Sequence, residues 1–303
     1  MTYVRTVRAR LFSIMLLSVV SSACASDAVE TTEGSYANDV LVDTEWIEAN
    51  MGEASVRMLE VGGNADAFAE GHLPGASFLS MGQLSNPDDP VRGQIATAAQ
   101  VSAALSGVGV GRDQTVVLYD RRNNLSAARA YWVLKYYQHA DVRIYNGGTP
   151  KWSEDGQAMS TEITEYEPSN YQTGAADPEI RTTWQYVVDH TDDPATLFCD
   201  TRSPDEHLGL DVRAERGGHI PGSINVEWTA AVNSNGTFKS ADALAALYGG
   251  AGFTSDRQII TYCQSGVRGA HTWFVLSELL GYPSVRNYDG SWGEYGNNPE
   301  SPI

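Results

Sequence analysis

The chain has 303 residues, of which 42% are hydrophobic and 19% are charged, a composition typical of a globular protein with one large domain or two ordinary ones. Its formal net charge is −18, and it has no basic stretch that would neutralise phosphates. This balance argues against a nucleic-acid partner. It otherwise indicates only an acidic, well-solvated surface.

The first 25 residues have the layout of a secretory signal peptide. Three arginines precede an apolar run at residues 11–20, and small residues flank Cys24. The run is too short to span a bilayer, so we expect cleavage near Ala25 and export to the periplasm or cell envelope of a bacterium. Alternatively, Cys24 becomes the lipid-modified first residue of a lipoprotein.

Three segments beyond this region occur twice, in the same order. GHLPGAS (71–77) recurs as GHIPGSI (218–224), VVLYD (116–120) as IITYC (259–263), and VRIYNGG (142–148) as VRNYDGS (285–291). A repeat of this length indicates two homologous domains rather than a solenoid.

Both copies predict the same order of elements. A short helix lies near Trp46 or Trp184 and is followed by a strand (56–61 or 196–200) and the GH-x-PG turn. Next come a helix (98–108 or 240–249) and a strand that ends at Asp120 or Cys263. A long helix (125–138 or 268–280) and a strand that contains Tyr145 or Tyr288 complete the copy. Short apolar strands alternating with helices predict an α/β fold with a parallel sheet covered by helices on both faces.

The repeat also predicts the domain boundaries. We expect an N-terminal domain at 37–157, a C-terminal domain at 179–303, and between them a polar linker at 158–178, rich in Glu, Pro, Ser and Thr.

Beyond Cys24, the only cysteines are Cys199 and Cys263. In an exported protein they could form one disulfide. However, Cys199 lies inside the apolar run ATLFC and is predicted to be a buried strand residue, whereas Cys263 ends a different strand. If those strands are not neighbours, the two Cα atoms are too far apart to bridge.

Cys263 stands at the carboxyl end of a predicted strand, where parallel α/β sheets carry their functional loops. Residues 264–268 lead from it into a helix, so that backbone N–H groups and the helix dipole favour a thiolate. Gly266 permits unusual backbone angles, and Arg268 offers a forked set of donors for an anion. These features predict a nucleophile in an anion-binding loop.

A single cysteine at a strand end is often a packing residue. Here Asp120 occupies the same position in the first copy, and a carboxylate is a poor substitute for an apolar plug. Four residues separate Cys263 from Arg268, one fewer than in the Cys-x5-Arg loop of cysteine-dependent phosphatases. The shorter loop suits an anionic sulfur on the cysteine better than a phosphate.

Taken together, these motifs resemble the tandem-domain rhodaneses, the thiosulfate and 3-mercaptopyruvate sulfurtransferases, over residues 37–303. The resemblance rests on both GH-x-PG turns, on CDTR (199–202), on YCQSGVR (262–268) and on VRNYDGSWGEYG (285–296). It implies two rhodanese-like domains, of which the N-terminal one, with Asp120, is catalytically silent and the C-terminal one is catalytic. It also places the site towards the domain interface.

The resemblance implies sulfur transfer through a persulfide on Cys263, from thiosulfate to cyanide or a thiol. It implies further that the amides of residues 264–268 stabilise the persulfide and that Arg268 holds the sulfonate of the donor. The substrate-binding residues are expected to be Gln264, Ser265, Gly266, Val267, Arg268 and Arg202. We expect no metal or organic cofactor, and a monomer.

Several alternatives stay open. Arg268 favours thiosulfate as donor, whereas Gln264 makes the loop less cationic than in many thiosulfate enzymes and leaves 3-mercaptopyruvate possible. A non-catalytic sulfur carrier and a phosphatase are the other classes. Arg202 either points towards the site or pairs with Asp205 or Glu206. His72 and His219 are expected to make structural hydrogen bonds, and Trp292 and Tyr295 to pack the interface or line the cleft.

Overall fold

The computed structural model describes residues 1–2, 34–62 and 64–303. The predicted signal peptide, apart from its first two residues, and Cys24 lie outside the described residues. No helix in the described ranges is both long and apolar enough to cross a membrane.

The first half of the fold is a five-stranded parallel sheet in the order β1-β5-β4-β2-β3. Its strands are β1 (Leu41–Val42), β2 (Val56–Gly62), β3 (Ser77–Ser80), β4 (Thr115–Tyr119) and β5 (Val142–Tyr145). Its helices are α1 (Thr44–Asn50), α2 (Ala65–Glu70), α3 (Ala98–Gly107), α4 (Leu125–Tyr136) and α5 (Gly148–Glu154), with a 3₁₀ turn at Met81–Leu84.

The second half repeats this topology, in the order β6-β10-β9-β7-β8. Its strands are β6 (Arg181–Thr182), β7 (Thr196–Asp200), β8 (Ile224–Asn225), β9 (Gln258–Tyr262) and β10 (Val285–Tyr288). Its helices are α6 (Trp184–Asp189), α7 (Pro204–His207), α8 (Ala241–Gly250), α9 (Val267–Trp273) and α10 (Ser291–Tyr295), with a 3₁₀ turn at Trp228–Ala231 and a π-helical segment, Phe274–Leu279, that continues α9.

Two parallel sheets of the same strand order confirm the predicted fold class. The central strands are apolar on both faces, as in β4, where residues 116–119 are all buried. The helices begin at matching caps: the hydroxyl groups of Thr97 and Ser240 accept N–H bonds in the first turns of α3 and α8. Such caps each stabilise a helix by about 1 kcal/mol.

The long helices α4 and α9 pack against each other and join the two halves through one apolar core. Small residues, Ala127 and Ala130 on α4 and Ala270 on α9, are fully buried there. Tyr131 meets Phe274 edge to face, with ring centroids 4.7 Å apart. Because α4 follows the loop after β4 and α9 follows the loop after β9, the contact brings the Cys263 loop next to the first half.

The predicted linker lies along the first half. Ser160 forms a bridge with His72, and the Tyr166 hydroxyl donates to the carbonyl of Gly75 at 2.8 Å. Tyr171 is buried, and its hydroxyl accepts from Arg112 at 3.0 Å. The segment is therefore held by specific contacts although it contains neither a helix nor a strand.

Cys199 and Cys263 are both free and buried. Their strands are in fact neighbours, but Cys199 lies opposite Thr261, two residues before Cys263. Two residues advance a strand by about 7 Å, which puts the Cα atoms beyond the usual span of a disulfide. Cys199 is a core residue of β7, as predicted, and burial raises the pKa of its thiol well above the usual value.

Candidate active site

Cys263 is the first residue after β9, and the loop that follows reaches α9 within four residues. Gly266, the residue before the helix, has a φ of +74°. A Cβ at this position would lie 2.7 Å from the carbonyl oxygen of Asp289, so the turn requires glycine. The expectation that Gly266 adopts a conformation special to glycine is confirmed.

The Cys263 side chain is only 1% exposed and lies inside its own loop. Its Sγ accepts the N–H of Ser265 at 3.4 Å, and the Ser291 hydroxyl lies 4.0 Å away. The partial positive charge of this N–H group thus points at the sulfur.

Ser291 is a site residue that the sequence analysis missed. Its Oγ accepts N–H bonds from Cys263 and Gly266, both at 3.0 Å, and donates to the carbonyl of Tyr288 at 2.8 Å. One hydroxyl thus fixes both ends of the loop. A signal was present in the repeat, since serine stands here where the first copy has Gly148.

In the equivalent loop of the first half, the side chain of Asp120 lies among the backbone N–H groups. The Asp120 carboxylate accepts four backbone N–H bonds, from Arg122 (2.7 Å), Asn124 (3.1 Å), Ser126 (2.7 Å) and Ala127 (3.0 Å). Burial raises the pKa of this carboxyl group, and the four bonds oppose that shift. In the first half, backbone amides at this point of the fold therefore surround an anion next to the start of a helix.

Comparison with known proteins agrees with this geometry. The model of the rhodanese-like domain matches twice, at residues 43–155 and 183–298. The chain belongs to the rhodanese family. Both matches fall inside the domain ranges that the repeat predicts, and the fold places the two loops at corresponding points of the two rhodanese domains.

Relatives cover nearly the whole chain. The sulfur carrier protein TtuD of Thermus thermophilus is 40% identical over 276 residues, which is 88% of this chain and 96% of the relative. A protein of Mycolicibacterium smegmatis named "Putative thiosulfate sulfurtransferase" is 41% identical over 88% of this chain and 98% of the relative. The 3-mercaptopyruvate sulfotransferase SseA of Escherichia coli has a similar structure, with a TM-score of 0.76, 27% identity, and coverage of 84% of this chain and 98% of that one. These findings make the protein a rhodanese-type sulfurtransferase.

We call Cys263–Arg268 the rhodanese loop. Its sixth residue, Arg268, forms an ion pair with a carboxylate. Its two terminal nitrogens donate to both oxygens of Glu206 at 2.6 and 2.9 Å. Burial disfavours the charged form of Arg268, but Glu206 and the nearby Cys263 outweigh it, so its pKa is raised. Glu206 is buried too, yet Arg268 lowers its pKa to about 2. The charge beside Cys263 is thus largely compensated.

Gln264, the second residue of the loop, joins the loop to its surroundings. Its side-chain amide donates to the carbonyl of Arg213 at 3.0 Å, and its own carbonyl accepts from Gly293 at 2.8 Å. The other side-chain atom, Oε1, is buried without a partner among the described residues. Gln264 therefore holds the segment that carries Arg213 against the loop.

Arg202 is a structural residue, and the partners expected for it were wrong. Its guanidinium group is 1% exposed and binds both oxygens of Asp200, at 2.9 and 2.6 Å, as well as the carbonyl of Gly218 at 2.8 Å. It also lies over the ring of Trp292, 4.8 Å from the centroid. Because its donors are used in this way, the structure speaks against the expected role of Arg202 in substrate binding.

The aromatic and histidine predictions had mixed outcomes. Trp292 and Tyr295 are buried in the core of the second half, with ring centroids 5.7 Å apart, so the expectation that they pack the domain interface or line the cleft was wrong. His72 bonds to the carbonyls of Phe68 and Glu162, and His219 bonds to that of His207, as predicted.

A cleft of about 700 Å³ opens beside the loop, between the two rhodanese domains. Gln264 and Ser265 form part of its wall, together with Arg213 and Glu294 of the second half and Arg92 of the first. Within the described ranges, no group of three or more His, Cys, Asp or Glu side chains is arranged to hold a metal ion.

Proposed function

We propose that the protein is a thiosulfate sulfurtransferase that works through a persulfide on Cys263. The Cys263 thiolate attacks the outer sulfur of thiosulfate. The S–S bond of the donor breaks, a bond between Sγ and the transferred sulfur forms, and sulfite leaves with the electron pair. A thiophilic acceptor, either cyanide or a thiol, then takes the outer sulfur and releases the thiolate.

The observation that carries this proposal is the Asp120 carboxylate in its cradle. A carboxylate oxygen is two bonds from Cβ, and so is the outer sulfur of a cysteine persulfide. The first half therefore shows how loop amides surround an anionic atom at that distance. In the second half, we assign the same task to the amides of residues 264, 265, 267 and 268, since the Gly266 N–H already donates to Ser291 and first-turn N–H groups have no intrahelical partner.

Thiosulfate is the preferred donor because several relatives about 40% identical to the chain carry thiosulfate sulfurtransferase in their names. The pairing of Arg268 with Glu206 weakens the argument from a free guanidinium in the loop. The uncharged Gln264 leaves 3-mercaptopyruvate as the second donor to test. A carrier without turnover is the other candidate, supported by the relative named sulfur carrier protein.

The test is incubation with thiosulfate and cyanide, with thiocyanate as the readout. We expect Cys263-dependent thiocyanate, none from Cys263→Ala, and full activity from the control Cys199→Ala, which removes the other free thiol. Faster turnover with 3-mercaptopyruvate than with thiosulfate would make 3-mercaptopyruvate the preferred donor. Sulfur on Cys263 without turnover would identify a carrier, and no sulfur on Cys263 would refute the proposal.

We also propose export to a bacterial cell envelope, on the strength of the N-terminal basic and apolar segments, with lipidation of Cys24 as the alternative form. Fractionation of cells that express the full chain, with mass spectrometry of its mature N-terminus, distinguishes the two forms. Sedimentation of the mature chain tests the proposed monomer.

A further inference from the structure

Two arginines of the second half that lie on or beside the Cys263 loop are bound to acids. Arg268 is paired with Glu206 through two hydrogen bonds. Arg213 lies 3.4 Å from the same carboxylate and 2.5 Å from Asp211. A doubly charged donor such as thiosulfate gains little from compensated charges. An unpaired cation elsewhere in the cleft would attract its anionic end more strongly.

The first half provides such a group at Arg92. This residue lies between the 3₁₀ turn after β3 and the start of α3, on the wall of the cleft that Gln264 and Ser265 also line. It is exposed, and it forms no ion pair with any residue in 34–62 or 64–303. Its charge is thus available to a ligand.

The segment that carries Arg92 is fixed against the rhodanese loop. A Cβ on Gly93 would lie 2.9 Å from both Cβ and the carbonyl oxygen of Ser265, so the two backbones are in direct contact. Arg129, buried on α4, donates to the carbonyl of Gly93 at 3.0 Å and lies 2.7 Å from Asp289. Asp289 in turn accepts the N–H of Ile95 at 2.7 Å.

The acid in the same cleft is Glu294. Burial raises the pKa of its carboxyl group, and the nearby carboxylates of Asp89 and Asp289 add to the shift. Arg92 and Arg213 line the same cleft, so the charged side chains along its wall are two cations and one acid.

We propose that Arg92 of the silent domain binds the oxyanion end of the sulfur donor and sets a preference for anionic donors at Cys263. The ligand class is a small anion that bears a sulfonate or carboxylate beside the sulfur to be transferred. This inference rests on the proposed function, and it gives the silent domain a part in choosing the donor.

The first test does not depend on turnover. Cys263 is alkylated with iodoacetate, an anion, and with iodoacetamide, its neutral analogue, and the ratio of the two rates is measured by mass spectrometry. We expect Arg92→Gln to lower this ratio about fivefold, the size of effect that one partly screened charge produces at close range. The matched control is Arg257→Gln, an exposed arginine beside the opposite end of β9.

The second test uses the donor itself. We expect Arg92→Gln to raise KM for thiosulfate about tenfold with little change in kcat, and Arg92→Lys to recover most of the loss. An unchanged alkylation ratio in Arg92→Gln, or an equal fall for both reagents, would overturn the inference. If the ratio falls as expected but the wild type transfers no sulfur from thiosulfate, the anion site stands and the proposed function fails.

Discussion

The loop after β4 and the loop after β9 lie at the same point of two copies of one fold, and they differ in what fills them. Asp120 places its own carboxylate among four amides. Cys263 accepts one N–H from Ser265, and its loop is braced from outside by Ser291. The two loops thus differ in the side chain at the end of the strand: the first copy has a carboxylate bound by amides, whereas the second has a thiol to which we propose that an anionic sulfur is added.

The loops also differ in length, although the matching motifs of the two copies are equally spaced in the sequence. Helix α4 begins at Leu125, five residues after Asp120, whereas α9 begins at Val267, four residues after Cys263. The second copy regains the missing residue in the π-helical segment Phe274–Leu279, since a π-turn accommodates one extra residue in a helix. The equal spacing of the two copies therefore arises from two changes that cancel.

The largest expected effect comes from removing the built-in anion. Asp120→Ala leaves several buried N–H groups without acceptors, and we expect it to lower the free energy of unfolding by about 2–4 kcal/mol in urea denaturation. Asp120→Asn, which keeps one oxygen, should cost less. Sulfur loading of Cys263 should persist in both variants. If Asp120→Ala were as stable as the wild type, the carboxylate would not be what organises the loop.

A second difference between the copies is the ion pair of Arg268 with Glu206. Glu206 is the third residue of α7, and the third residue of α2 is Ala67, which cannot form such a pair. Since the pKa of Glu206 is about 2 in the folded chain against an ordinary 4.5, the unfolded chain binds more protons between these values. The stabilisation is therefore complete above about pH 4.5 and is lost as the pH falls towards 2.

We accordingly expect Glu206→Gln to be less stable than the wild type at pH 6, with a pH-dependent part of about 3 kcal/mol. The gap between the two proteins should narrow below pH 4.5, as followed by urea denaturation at a series of pH values. Asp211→Asn removes a more exposed partner of Arg213 and should change stability by less than about 0.5 kcal/mol. A gap that is constant with pH would show that Glu206 titrates normally.

The sequence predicted the repeated strand and helix order because the central strands are apolar on both faces and the motifs occur twice. It also placed Cys263 at the carboxyl end of a strand and predicted the special conformation of Gly266. It did not predict the short edge strands β1, β6 and β8, since two-residue strands have no periodicity to detect. The sequence did not predict the ion-pair partners of Arg202 and Arg268, because tertiary packing brings these side chains together.

Of the substitutions at Asp120, Glu206 and Ser291, the last is expected to have the smallest effect on stability, and it tests a side chain that differs between the two copies. Its hydroxyl is the acceptor for two buried N–H groups, and its φ is +52°, a conformation that favours glycine. We expect Ser291→Ala to lower the free energy of unfolding by about 1–2 kcal/mol and to slow sulfur loading of Cys263 several-fold. Ser291→Gly installs the residue of the first copy.

The glycine variant separates the hydroxyl group from the backbone conformation. It should slow sulfur loading as much as Ser291→Ala does, because both lose the Oγ that holds Cys263 and Gly266. It should be destabilised less, because glycine adopts the positive φ without strain. Equal loading rates in the wild type and both variants would mean that the backbone alone maintains the conformation of the Cys263 loop. The hydrogen bonds to the Ser291 hydroxyl would then contribute nothing to sulfur loading.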